Sequence, residues 1–110
     1  MERLEKISEL IGKKLTSKTC VGMKVVLEEG SEVLERTEKG AIRDAALIAA
    51  SQRVEHYEMA GYGVERDFTK LLGKGDIASL LEDTLDEEKN ADKQLTSIAS
   101  IVNKQARQAA

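Results

Sequence analysis

Proline and tryptophan are absent from the 110 residues, and only Tyr57, Tyr62 and Phe68 are aromatic. A chain so poor in these residues, with 41% apolar and 34% charged side chains, favours long amphipathic helices over a sheet, so the all-α class is expected. A second cysteine is missing too, which leaves Cys20 without an intramolecular disulfide partner. The N-terminal MERLEKISEL has no uninterrupted apolar core of the kind a signal peptide or membrane span needs, and a cytoplasmic protein with no membrane partner is expected. Nor is there an excess of one charge: the net charge is −3, acids and bases are interleaved, and no basic patch invites nucleic acid or an anionic surface. A chain of this length makes one domain, residues 1–110.

What remains is helical periodicity broken by glycine. Leu4, Ile7, Leu10 and Ile11 predict a short helix within residues 2–15, ended by TSKTC. Met23, Val26, Leu27, Val33 and Leu34 continue the pattern to about Glu35, with Gly30 and Ser31 inside it, so a bent or divided helix is expected there. Residues 42–72 read as one long helix. In LGKGD, Gly73 and Gly75 stop it and Asp76 is placed to cap the next, which runs from Ile77 to about Gln105. Two long helices joined by so short a connection must form an antiparallel hairpin.

Both long helices carry acid where the pattern calls for an apolar residue. At 100° per residue, Ile77, Leu81, Thr84, Ala91, Leu95, Ala99 and Val102 fall in one arc with Glu88 close to its centre and Asp92 toward its edge. On the preceding helix Ser51, Glu55, Glu58 and Tyr62 lie within the broad apolar arc. Residues equidistant from a turn at Gly73 share a level, which pairs Glu58 with Glu88 and Glu55 with residues 91–92. Unpaired inward carboxylates are costly, so they need a base or a cation, and hard cations suit carboxylate oxygens. Inward glutamates in helical bundles are how di-iron and di-manganese sites are built. The alternative is a narrower stripe, with Glu55 and Glu58 at its edge and neutralised by Arg53, Arg66 or Lys89. His56 lies about 100° round from Glu55 and reads as a surface residue or a support to ligands, and Cys20 as a small buried hydrophobe.

The segments KTCVGMKVVLEEGSEVL, IRDAALIAASQRVEHYEMAGYG and LLEDTLDEEKNADKQLTSIA resemble the YciF/YciE-type stress-response proteins of the ferritin-like superfamily, over essentially the whole chain. The resemblance implies a ferritin-like bundle and a carboxylate di-metal site for iron or manganese. Carried over residue by residue, Glu55 and Glu88 are the first candidate metal ligands and Glu58 and Asp92 the next. Tyr62, seven residues after Glu55, is similar to a spacing used in related metal-binding bundles and is a candidate hydrogen bonder to the ligands. Members of the family begin with another long helix and half of a second, so this chain is expected to be truncated at its N-terminus relative to them and to lack half of the ligand set. Ala91, three residues after Glu88, stands where such sites often have histidine. No catalytic residue is assigned, and a metal-free helical interaction module is the alternative function. A long hairpin with broad apolar arcs and little to cover it should self-associate. The simplest arrangement is a two-fold homodimer that completes a four-helix bundle, with Glu55, Glu58, Glu88 and Asp92 of each chain around one centre.

Overall fold

In the computed structural model, which describes residues 1–110, four helices follow one another: α1 (Glu2–Ile11), α2 (Val21–Arg36), α3 (Ala41–Leu71) and α4 (Gly75–Ala109). There is no strand. The architecture is the expected helical bundle built on a long antiparallel hairpin. At about 1.5 Å per residue the 35 residues of α4 make a rod of about 52 Å, which sets the 53 Å long dimension of the molecule. Contacts between α3 and α4 dominate the fold, while α2 lies along α3 and α1 rests on α4.

The turn between the long helices follows from one residue. Gly73 adopts φ 68°, its N–H donates to the Lys70 carbonyl at 3.0 Å, and the Lys74 N–H donates to the Thr69 carbonyl at 2.9 Å. This paired closure satisfies two end carbonyls and needs a left-handed residue, which glycine supplies without steric cost. Gly12 ends α1 in the same way. Asp76 does not cap α4: the helix begins at Gly75, with Lys74 at the cap position and no side-chain cap, so Asp76 lies in the first turn, where its charge complements the helix dipole. The helix also runs four residues beyond Gln105.

α2 is one continuous helix through Gly30 and Ser31, not a divided one. Gly30 faces α3, where an added Cβ would stand 3.8 Å from that of Ala50, in ordinary van der Waals contact. The packing of α2 along α3 outweighs the intrinsic cost of glycine in a helix, about 1 kcal/mol. Nearer its start, the ring of Tyr57 lies directly on Gly22, where any side chain would collide with it. Cys20 is exposed, contrary to the buried hydrophobe expected. It sits at the start of α2, where its Sγ is 3.0 Å from the Tyr57 hydroxyl, and that hydrogen bond, together with the N–H groups of Met23 and Gly22, lowers the thiol pKa.

The core is small. Only Ile7, Ala50, Ile77, Ala78, Leu81 and Leu85 are buried, with Tyr62 and Leu80 packed against the Ile7–Ile77–Leu81 cluster. α1 is fastened at its other end by Arg3, which donates to Glu87 at 2.6 and 2.8 Å and to Thr84 Oγ1 at 3.2 Å. α1 covers only the part of α4 nearest the turn, and α2 only the N-terminal half of α3. Glycines in the two environments predict opposite effects. Gly63 lies within α3 with open space where a Cβ would go, so Gly63→Ala should stabilise the protein by about 1 kcal/mol. Gly73→Ala should cost about 1–2 kcal/mol through its left-handed backbone. Thermal melts should move a few degrees up for the first and down for the second.

Candidate carboxylate site

Three polar contacts set the register of α3 against α4. Arg66 donates to both carboxylate oxygens of Glu82 at 2.9 and 3.0 Å. Gln52 donates to Asp92 at 3.1 Å and to Thr96 at 2.9 Å, and His56 Nε2 lies 3.0 Å from Asp92 Oδ1. Between these levels Glu55 of α3 and Glu88 of α4 come within hydrogen-bonding reach of each other. Two ionised carboxylates so placed repel each other, which favours a proton held by one of them.

The Glu88 carboxyl is pushed up to about 7, chiefly by its hydrogen bond to Glu55, then by partial burial and by the charges of Glu55 and Glu87. Glu58 is raised by partial burial and then by Glu88, and Glu65 by partial burial and then by Glu58. Tyr62 stands among them, its hydroxyl raised by burial and by Glu58, Glu65 and Glu88. Glu55 Oε2 is shut off from solvent without a hydrogen-bond partner, a condition that costs on the order of 1–3 kcal/mol.

None of the bases expected to neutralise these acids does so. Arg53 pairs with Glu29, Arg66 with Asp67 and Glu82, and Lys89 with Asp86 and Glu82. Of the four candidate ligands, Glu55 and Glu88 meet and Glu58 adjoins them electrostatically, while Asp92 is drawn aside by His56 and Gln52. His56 is thus a surface residue held by Asp92, not a member of the acid group. Glu65 went unnoticed in the sequence, although it follows Glu58 by seven residues, two turns along the same face. All four candidates are half-buried, because the face they share is open to solvent between the short flanking helices.

The orphaned Glu55 oxygen and the Glu55–Glu88 pair suit a hard cation in place of the shared proton. No group of three or more His, Cys, Asp or Glu side chains converges into a metal cage, so water would have to complete the coordination of any ion held there. No helix is long and apolar enough to cross a membrane.

A strand-free bundle built on a long antiparallel helical hairpin is the class that the fold defines, and comparison with known proteins gives the family. Residues 1–108 match a family model described as a domain of unknown function, DUF892, and the chain belongs to that family. Protein YciF of Escherichia coli (strain K12) is 46% identical over 108 residues, which cover 96% of this chain and 65% of that protein. The crystal structure of the E. coli stress protein YciF superposes with a TM-score of 0.89 at 44% identity, over 94% of this chain and 66% of that one. YcfI from Rhodopseudomonas palustris gives 0.83 at 34% identity, over 86% and 60%. The chain therefore spans just under two thirds of the length of these relatives.

The raised acids predict a direction for stability against pH. Glu88 holds its proton more tightly in the folded chain than in the unfolded one, so folding takes up protons between the ordinary carboxyl value of 4.5 and about 7. Stability should fall as pH rises through that window and level off above it, with Glu58 and Glu65 acting in the same direction. Glu87, held low by Arg3, opposes this only toward more acid pH. Melting temperatures from pH 5 to 8 should decline for the parent and stay flatter for Glu88→Gln.

Proposed function

We propose that this chain is a stress-response protein of the YciF type that binds a hard cation, iron or manganese, through Glu55 and Glu88 with Glu58 beside them. The single observation that carries the reading is the Glu55–Glu88 pair, in which two carboxylates meet without a neutralising base and one oxygen is left unpartnered. A cation held there replaces a proton, so its binding should release protons near neutral pH. Asp92, occupied by His56 and Gln52, steadies the register beside the site. The likeness to the E. coli stress protein supplies the physiological half of the reading.

A second reading rests on the same carboxylates. Because no three ligating side chains converge, the chain acts instead as a metal-free helical interaction module whose acids are held protonated. One comparison separates the two. Protein purified without chelator should carry iron or manganese, and the Glu55→Ala/Glu88→Ala double variant should lose it. Equal metal content in both rules the cation out. A double variant that melts higher than the parent in chelator would then favour the metal-free module, because removing uncompensated acids relieves repulsion.

A further inference from the structure

Charge of a single sign collects where α1 is joined to α2. Between Leu10 and Leu27 lie Lys13, Lys14, Lys18 and Lys24 and no acid, so in a chain of net charge −3 the other residues sum to −7. Lys24 is held by Glu28, but none of the chain's ion pairs takes up Lys13, Lys14 or Lys18. These three ammonium groups stand on the exposed connector, residues 12–20.

The connector is nonetheless fixed where it leaves α1. Gly12 turns the chain back with φ 70°. Ser8 then holds the return: its Oγ donates to the Lys13 carbonyl at 2.6 Å and accepts the Leu15 N–H at 3.3 Å. Leu4 lies one turn before Ser8 on the same face of α1. The Ser8 clasp therefore brings Leu15 alongside the face that carries Leu4. Between them runs a groove of about 680 Å³, walled by both leucines and edged by Lys14, Thr16 and Ser17 on the connector and by Glu5 on α1. Leu4 is 42% and Leu15 47% exposed, so both apolar walls are open to a ligand.

The volume lies in the range of small-molecule sites, roughly 300–1,000 Å³. The polarity is that of an amphiphile, with apolar walls and one base on the rim. Glu5 repels an anionic head from the α1 edge while Lys14 attracts it to the connector, which sets the direction in which the ligand lies. Lysine offers a compact point charge and not the planar fork that pairs bidentately with phosphates. No aromatic side chain lines the groove, so a nucleobase has nothing to stack on. A bilayer or a nucleic acid would also bring its extended charge against the −7 carried elsewhere, whereas one small anion meets the lysines alone.

We infer that this groove binds a single-chain carboxylate amphiphile of the fatty-acid class, with its alkyl chain between Leu4 and Leu15 and its carboxylate at Lys14. Lys13 and Lys18 add attraction at longer range. The site is separate from the Glu55–Glu88 pair and needs no cation.

Decanoate and dodecanoate, each below its micelle concentration, can be titrated in chelator into the isotopically labelled 110-residue chain and followed by NMR. Saturable shifts should centre on the methyl groups of Leu4 and Leu15 and on the Lys14 amide. Affinity should rise roughly twofold to fourfold for each added methylene. Lys14→Glu should weaken binding by about fivefold, and Leu15→Asp should abolish it, both with unchanged helical circular dichroism because the two side chains are exposed. Leu34→Asp, in the groove between α2 and α3, should leave affinity as it is. Shifts that centre on Leu27 and Leu34, or that never saturate, overturn the inference. So does equal affinity for decyltrimethylammonium, or for the Lys14→Glu variant, because the head then plays no part. Vesicles of phosphatidylglycerol that retain the chain while dodecanoate leaves Leu4 and Leu15 unmoved would give the surface to a bilayer. Shifts at these leucines that grow with protein concentration alone would give it to a second copy. Either result refutes the proposed ligand. Chelator keeps the outcome independent of cation binding.

Discussion

Arg66 clasping Glu82, with Asp92 held jointly by Gln52 and His56, fixes how far α3 can slide along α4. All these contacts cross between the same two helices, and the hairpin turn at Gly73 sets the register they lock. A slip of one turn, about 5.4 Å, would carry Glu55 off the level of Glu88. The acid pair is therefore a product of register. It is a strained product, because the bases that could relieve it are the ones used as clasps. Arg66 cannot hold Glu82 and also reach Glu55, and Lys89 is turned to Glu82 and Asp86.

Much of this order could be read in the sequence because glycine marks the ends of its helices and proline does not intervene. The long helices and the hairpin follow from period and from the glycines, but counting outward from Gly73 sets Glu58 against Glu88, whereas Glu55, one turn away, is the residue that meets it. What could not be read depends on contacts between helices. Gly30 looked like a break, and only the packing of α2 along α3 shows why the helix passes through it. Cys20 looked like core, but a small core of six residues lies elsewhere and Tyr57 meets the thiol at the surface. Asp92 shares the acid arc, and periodicity alone cannot say that Gln52 and His56 draw it to one side.

The open face of the hairpin links its energetics to its chemistry. Fully enclosed, the glutamates would face a desolvation penalty of several kcal/mol each. Half-open, they keep part of their hydration, and an ion could enter without a conformational change. The same openness leaves Ile98, Ile101, Leu27 and Leu34 in contact with water. Access to the acids and the exposure of these apolar side chains both follow from α1 and α2 each lying along only part of the hairpin.

The backbone of α1 approaches only that of α4, and α2's only that of α3, and a fully exposed segment, residues 12–20, joins them. Neither short helix braces the other. Each is therefore held to the hairpin separately, the arrangement in which local opening of one element need not displace the other. Opening at α1 gives up the Arg3 tether and the Ile7 contact together, and uncovers Ile77, Leu81 and Tyr62.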